Sequence, residues 1–142
     1  MKIRYLFALC LSLLAGCGGG IDPTPAPVDF VVRVERAPQP AERFVVRLVR
    51  PEQIATARAI VSGRQPSQIV FGSLADGDGG FNRDPVAGRA WSWHMVPESI
   101  TFVDTTVEIY DGTPSIVEAD KAGYLRIGRY GPWGSHVERE LP

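Results

Sequence analysis

Cysteine is confined to Cys10 and Cys17 in a chain of 142 residues. A disulfide framework and a Cys-based zinc site are therefore excluded from everything that follows. Histidine is as scarce: His94 and His136 are the only two, and their separation gives no zinc spacing. Lysine occurs only at Lys2 and Lys121, and no Gly-x-x-x-x-Gly-Lys run exists. A phosphate-cradling loop and a Schiff-base lysine thus find little support. Neither sign of charge dominates, with 15 Lys+Arg against 16 Asp+Glu. No basic stripe results, and nucleic acid is not an expected partner. What remains is 44% hydrophobic and 22% charged, an ordinary composition for one globular domain.

The N-terminus carries an address. Met1-Lys2-Ile3-Arg4-Tyr5 is followed by an almost wholly apolar run from Leu6 to Ala15. A short basic segment and about ten apolar residues predict a secretory signal peptide over 1–16. The run is too short to span a bilayer, which takes about 20 such residues, and none of that length follows. Leu14-Ala15-Gly16-Cys17 resembles the lipobox of bacterial lipoproteins. The resemblance implies cleavage before Cys17, a thioether-linked diacylglycerol on its sulfur and acylation of the new N-terminus. Two or three acyl chains, at about 0.8 kcal/mol per buried methylene, anchor a protein durably to a membrane. Gly18 in place of Asp after the lipidated residue implies, by the same resemblance, the outer membrane. Removal of Lys2 and Arg4 leaves 13 basic and 16 acidic residues, a net charge of −3. Residues 17–28 then form the lipidated Cys and a Gly/Pro-rich tether able to hold a domain up to about 30 Å from the bilayer.

Residues 29–142 read as one domain. Phe30-Val31-Val32-Arg33-Val34 and Phe44-Val45-Val46-Arg47-Leu48 predict two strands joined by a Pro-rich turn. The helix signal is clearest over 51–62: Pro51 suits the first position, Glu52 the positive end of the dipole and Gly63 a left-handed cap. Ile54, Ala57, Ile60 and Val61 would line its buried stripe. Further strands are expected at 68–74, 91–95, 100–103, 106–110 and 124–130, with a loop at 75–90. The fold class expected is α+β, a mainly antiparallel sheet of about five to seven strands with one packed helix.

Phe81-Asn82, Trp91-Ser92-Trp93-His94, Pro97-x-x-Ile100-x-Phe102, Glu108-Ile109-Tyr110-Asp111-Gly112 and Pro132-Trp133-x-Ser135 together resemble a small secreted bacterial domain family. That uncharacterised family shows Trp-Ser-Trp-His, Ile-Glu-x-Cys-Asp and Cys-Pro-Trp-x-Ser motifs. Its two cysteines correspond to Tyr110 and Gly131, and their joint loss is what a disulfide pair would show. The resemblance therefore implies that Tyr110 and Gly131 face each other.

Among candidate site residues, Trp91-Ser92-Trp93-His94-Met95 is the most distinctive. Strand alternation puts Trp91, Trp93 and Met95 on one face and Ser92 and His94 on the other. His94 is expected to be a hydrogen-bonded structural residue, with Ser92 and Glu108 as companions if the face binds a ligand. A hydrolase or metal-dependent enzyme centred on His94, Glu108 and Asp111 is the competing reading. Ser92 lies two residues from His94 with no Gly-x-Ser-x-Gly elbow, which argues against a serine hydrolase. Residues 76–84 alternate Asp and Gly, yet an EF-hand begun at Asp76 would put Phe81 at the glycine position and Ala87 at the bidentate glutamate. Asp-Gly turns account for the segment better. No cofactor and no metal are expected. The function expected is a membrane-anchored binding module for a protein or small-molecule ligand, using Trp91, Phe81 and Trp133 as aromatic anchors where exposed.

Overall fold

The computed structural model describes residues 25–142. The expected signal peptide over 1–16, the expected lipidation site Cys17 and the expected tether up to residue 24 lie outside the described residues. Strands β1 (Val28–Arg36) and β2 (Gln39–Leu48) form an antiparallel hairpin, and β9 (Ser135–Glu140) pairs with the other edge of β1. Strand β3 (Ile69–Asp76) organises a second antiparallel sheet. It pairs with β6 (Trp93–Met95) through its last residues, with β7 (Thr101–Val103) through its first, and with β8 (Arg129–Tyr130) between them. A small hairpin, β4 (Arg83–Asp84) with β5 (Arg89–Ala90), completes nine strands among the described residues. The architecture is α+β and mainly sheet, as expected, with more strands than the five to seven anticipated.

The core lies between the sheets. Alternation on β1 and β2 buries Phe30, Val32, Val34, Phe44, Val46 and Leu48 against Val70, Trp93, Met95 and Tyr130. Helix α1 (Pro51–Val61) adds Ile54, Ala57 and Ile60 to that core. Val61, expected in the same stripe, is instead 42% exposed at the last helical position. The residue before the helix, Arg50, has no side-chain oxygen to cap it. Gln53 supplies the compensation from within the first turn: its Oε1 accepts the backbone N–H of Val49 and Arg50 at 3.1 and 2.9 Å. Its amide donates to the carbonyls of Pro97 and Ile100, so this buried polar side chain is fully used.

Two expectations of strand fail. Residues 106–110 end in a single 3-10 turn, Glu108–Tyr110, because the segment finds no strand to pair with and leaves Val107 and Ile109 in solvent. Of the strand expected over 124–130, only Arg129–Tyr130 forms, as β8, while 124–127 belong to helix α3 (Lys121–Ile127). Asp120 accepts the Gly123 N–H at its start, and Gly128, at φ +75°, ends it in the left-handed conformation. A further short helix, α2 (Pro114–Ala119), precedes it after the turn at 111–113, so three α-helices stand among the described residues beside the one packed helix the fold class anticipated.

Candidate functional site

The His94 face closes on itself. Trp91, Trp93 and Met95 are buried as alternation required, and His94 lies half-buried on the other side. Its Nδ1 is 2.7 Å from the carbonyl oxygen of Gly77, and its ring meets the Phe81 ring edge-on at 5.6 Å. A Cβ on Gly79 would fall 2.9 Å from the imidazole, so glycine there permits the loop to close over it. Ser92 is held by Glu118 of α2, which accepts its N–H at 2.9 Å and its hydroxyl at 2.7 Å.

Glu108 is exposed on the 3-10 turn. Tyr110, two residues on, rests against Phe71 with ring centroids 5.5 Å apart. Phe71 lies four residues along β3 from Ala75, the partner of His94, a span of about 13 Å. Asp111 is engaged elsewhere, by Arg36. The structure thus does not bring His94, Glu108 and Asp111 together. Among the described residues no cluster of three or more His, Cys, Asp or Glu converges as a metal site.

The Asp/Gly-rich segment has a structural task. Strand β2 is an edge, and Asn82 and Asp84 cover it. Asn82 Oδ1 accepts the Val45 N–H at 3.0 Å while its amide donates to the Trp93 carbonyl at 2.6 Å. Asp84 accepts the Arg43 N–H at 3.0 Å with one oxygen and the N–H groups of Val86 and Ala87 with the other. Asp76 meets Lys121 at 2.7 Å, and Asp78 accepts the Gly80 N–H. Side chains that superficially suggest calcium ligands are spent on backbone and on an ion pair. Phe81 and Trp91, 4% and 2% exposed, are packing residues, so the exposure that an anchoring role required of them is not met. Trp133, 39% exposed, remains available.

A groove that local sequence did not announce lies where β1 ends and β2 begins. It encloses about 490 Å³ and is lined by Arg36, Gln39 and Glu42 on one side and by Asp111, Ser115 and Ile116 on the other. Arg36 Nη2 pairs with Asp111 Oδ1, which also accepts the Trp133 N–H at 2.7 Å. Glu42 accepts the N–H and the hydroxyl of Ser115 at 2.7 and 2.6 Å. From beneath, the Tyr124 hydroxyl donates to the Asp111 carbonyl and the Tyr130 hydroxyl to that of Gly112 at 2.9 Å. Gly112 is required here: at φ +142°, a Cβ would collide with the Tyr124 hydroxyl. Ile116 in the groove lining, Val107 and Ile109 on the turn that leads into it and Trp133 bonded to Asp111 are four of the seven large hydrophobic residues exposed among those described. Such a concentration marks a contact surface more than scattered apolar residues would.

This floor imposes a pH dependence. Burial, chiefly, pushes the Tyr130 phenol well above its ordinary value, and burial followed by the charges of Asp111 and Asp120 raises that of Tyr124. The unfolded chain releases these protons near pH 10, the folded one only higher. Stability is therefore intact below about pH 10 and falls above it, by up to about 1.4 kcal/mol per pH unit for the buried Tyr130 and by much less for the half-exposed Tyr124. Urea unfolding at pH 9, 10 and 11 should show the decline, and Tyr130→Phe should flatten most of it. An unchanged alkaline limb in Tyr130→Phe would remove Tyr130 from this role.

A family model described as the BP-74 N-terminal domain matches residues 27–142, from the residue before β1 to the end of the chain. The chain belongs to the BP-74 N-terminal domain family. No curated protein and no solved structure matches it. Both sheets, the edge-covering loop and the groove of this BP-74 N-terminal domain all fall inside the matched stretch.

Proposed function

We propose that the chain is a lipoprotein of the bacterial cell envelope, anchored through Cys17, whose domain acts as a binding module at the groove. The lipobox Leu14-Ala15-Gly16-Cys17 supports the anchor, and Gly18 supports the outer membrane as its location. The observation that carries the binding reading is a groove with a braced floor and exposed Ile116 in its lining, beside which Trp133 is tied to Asp111 and exposed Val107 and Ile109 lead into the chain segment that lines it.

Topology supports the same reading. The described chain begins at Pro25, beside Ile54 and Arg58 of α1, and enters β1 at Val28. Strand β1 then runs nine residues to Arg36 in the groove, about 26 Å away. A tether at one end of β1 and a groove at the other point the binding surface away from the bilayer.

Two measurements test this. Cys17→Ser should abolish incorporation of labelled palmitate and leave the protein unprocessed or released, whereas continued membrane retention after normal processing defeats the anchor. Partners captured from envelope extracts by the full-length protein should be lost with Ile109→Asp or Trp133→Ala. They should be kept with Val86→Asp, an exposed position on the β4–β5 turn. Equal loss in all three, or in none, defeats the groove as the working surface.

A further inference from the structure

We propose that the groove takes a zwitterionic amino-acid head group bearing an aliphatic side chain, a deepening that rests on the groove being the binding surface. The groove holds unspent hydrogen-bonding capacity of both signs. Arg36 commits Nη2 to Asp111, while its Nε and Nη1 have no acceptor among the described residues. On Asp111, Oδ1 accepts from Arg36 and from the Trp133 N–H, while Oδ2 accepts from none of the described groups. Each oxygen of Glu42 accepts one bond from Ser115, which leaves each with a further lone pair. Gln39, exposed on the wall, offers an amide donor and a carbonyl acceptor.

The three charges sum to −1, one guanidinium against two carboxylates. A simple anion placed on Arg36 meets the field of Asp111 and Glu42, and a simple cation placed on the carboxylates meets Arg36. A ligand carrying both charges satisfies each wall, its carboxylate on the guanidinium and its ammonium on the carboxylates. Ile116, 51% exposed at the lip, gives an aliphatic side chain its apolar contact. The groove has ample room for a group of that size, and the tyrosine hydroxyls below fix the Asp111–Gly112 backbone before any ligand arrives.

Isothermal titration of the full-length protein tests the pairing of charges. L-Leucine should bind saturably, while leucinamide, without the carboxylate, and N-acetylleucine, without the ammonium, should each bind at least tenfold more weakly. Glycine, lacking the side chain, should also be weaker. Arg36→Gln should reduce leucine affinity at least tenfold. Should that variant fold poorly, the comparison of ligands on the unaltered protein decides alone. Blocked ligands that match leucine, or no saturable leucine binding, overturn the zwitterion. In that event partner loss in Trp133→Ala, whose backbone N–H bonds Asp111 of the groove, still upholds the surface, so the two readings fail separately.

Discussion

Asn82→Ala is expected to lower stability by about 3 kcal/mol. The side chain is 2% exposed and bridges the β2 edge to β6 through two buried bonds, to the Val45 N–H and the Trp93 carbonyl. Truncation strands both backbone groups, and each unsatisfied buried group costs roughly 1–3 kcal/mol. For a domain of this size the loss corresponds to a fall in Tm of roughly 10–15 °C. Asp78→Ala, in the same loop but holding only the exposed N–H of Gly80, should change stability by less than about 0.5 kcal/mol. A second effect should accompany the first, because uncovering the Val45 N–H opens β2 to pairing with another chain. Thermal unfolding and size-exclusion chromatography read both. A drop of only a few degrees without self-association would remove Asn82 from its place as guardian of the edge.

The second large effect concerns Tyr110 and Gly131. The Gly131 N–H donates to the Tyr110 carbonyl at 2.9 Å, which keeps their α-carbons within about 7 Å however the peptide planes turn. The structure thus puts side by side the two positions that the resemblance implied to be paired. A Cβ on Gly131 would lie 2.6 Å from Cδ2 of Phe71, the ring on which Tyr110 rests. Gly131→Cys alone should therefore destabilise by about 1–3 kcal/mol through overpacking. Combined with Tyr110→Cys, the Phe71 ring gains the space that Tyr110 vacates, and an oxidised bridge across a loop of roughly 20 residues should raise stability by about 2 kcal/mol. Mass spectrometry and urea unfolding with and without reductant measure this. Failure to crosslink in air, or equal stability in the two redox states, would refute the pairing.

What is legible in the sequence follows from which forces are local. The hairpin of β1 and β2 and the helix at 51–61 are readable because β-branched alternation and the Pro51/Gly63 boundaries act over a few residues. The burial of Trp91, Trp93 and Met95 follows from the two-residue period. Residues 106–110 mislead for the same reason: Val107 and Ile109 alternate like a strand, but a strand needs a neighbour and the fold provides none. Helix α3 does carry its signals, Asp120 before it and Gly128 after it, and they are masked by the aromatic and β-branched content of 124–130. The groove is not legible. Arg36 and Asp111 lie 75 residues apart, as nearly do Glu42 and Ser115, and only the packed sheets bring them together. Asn82 and Asp84 look like ion ligands in the sequence, whereas their partners are backbone groups of a strand some 40 residues earlier.

The position of β1 has a mechanical consequence. It is the middle strand of its sheet, paired along its length with β2 on one side and β9 on the other. If the proposed anchor pulls on its first residue while a bound partner pulls at its last, the load runs parallel to the strand. The tension is then carried by the covalent backbone of β1 itself, and the ladders to β2 and β9 keep that strand extended without having to transmit the load. A domain strung between a membrane and a partner in this way would yield at its lipid anchor or in its groove before its fold gave way.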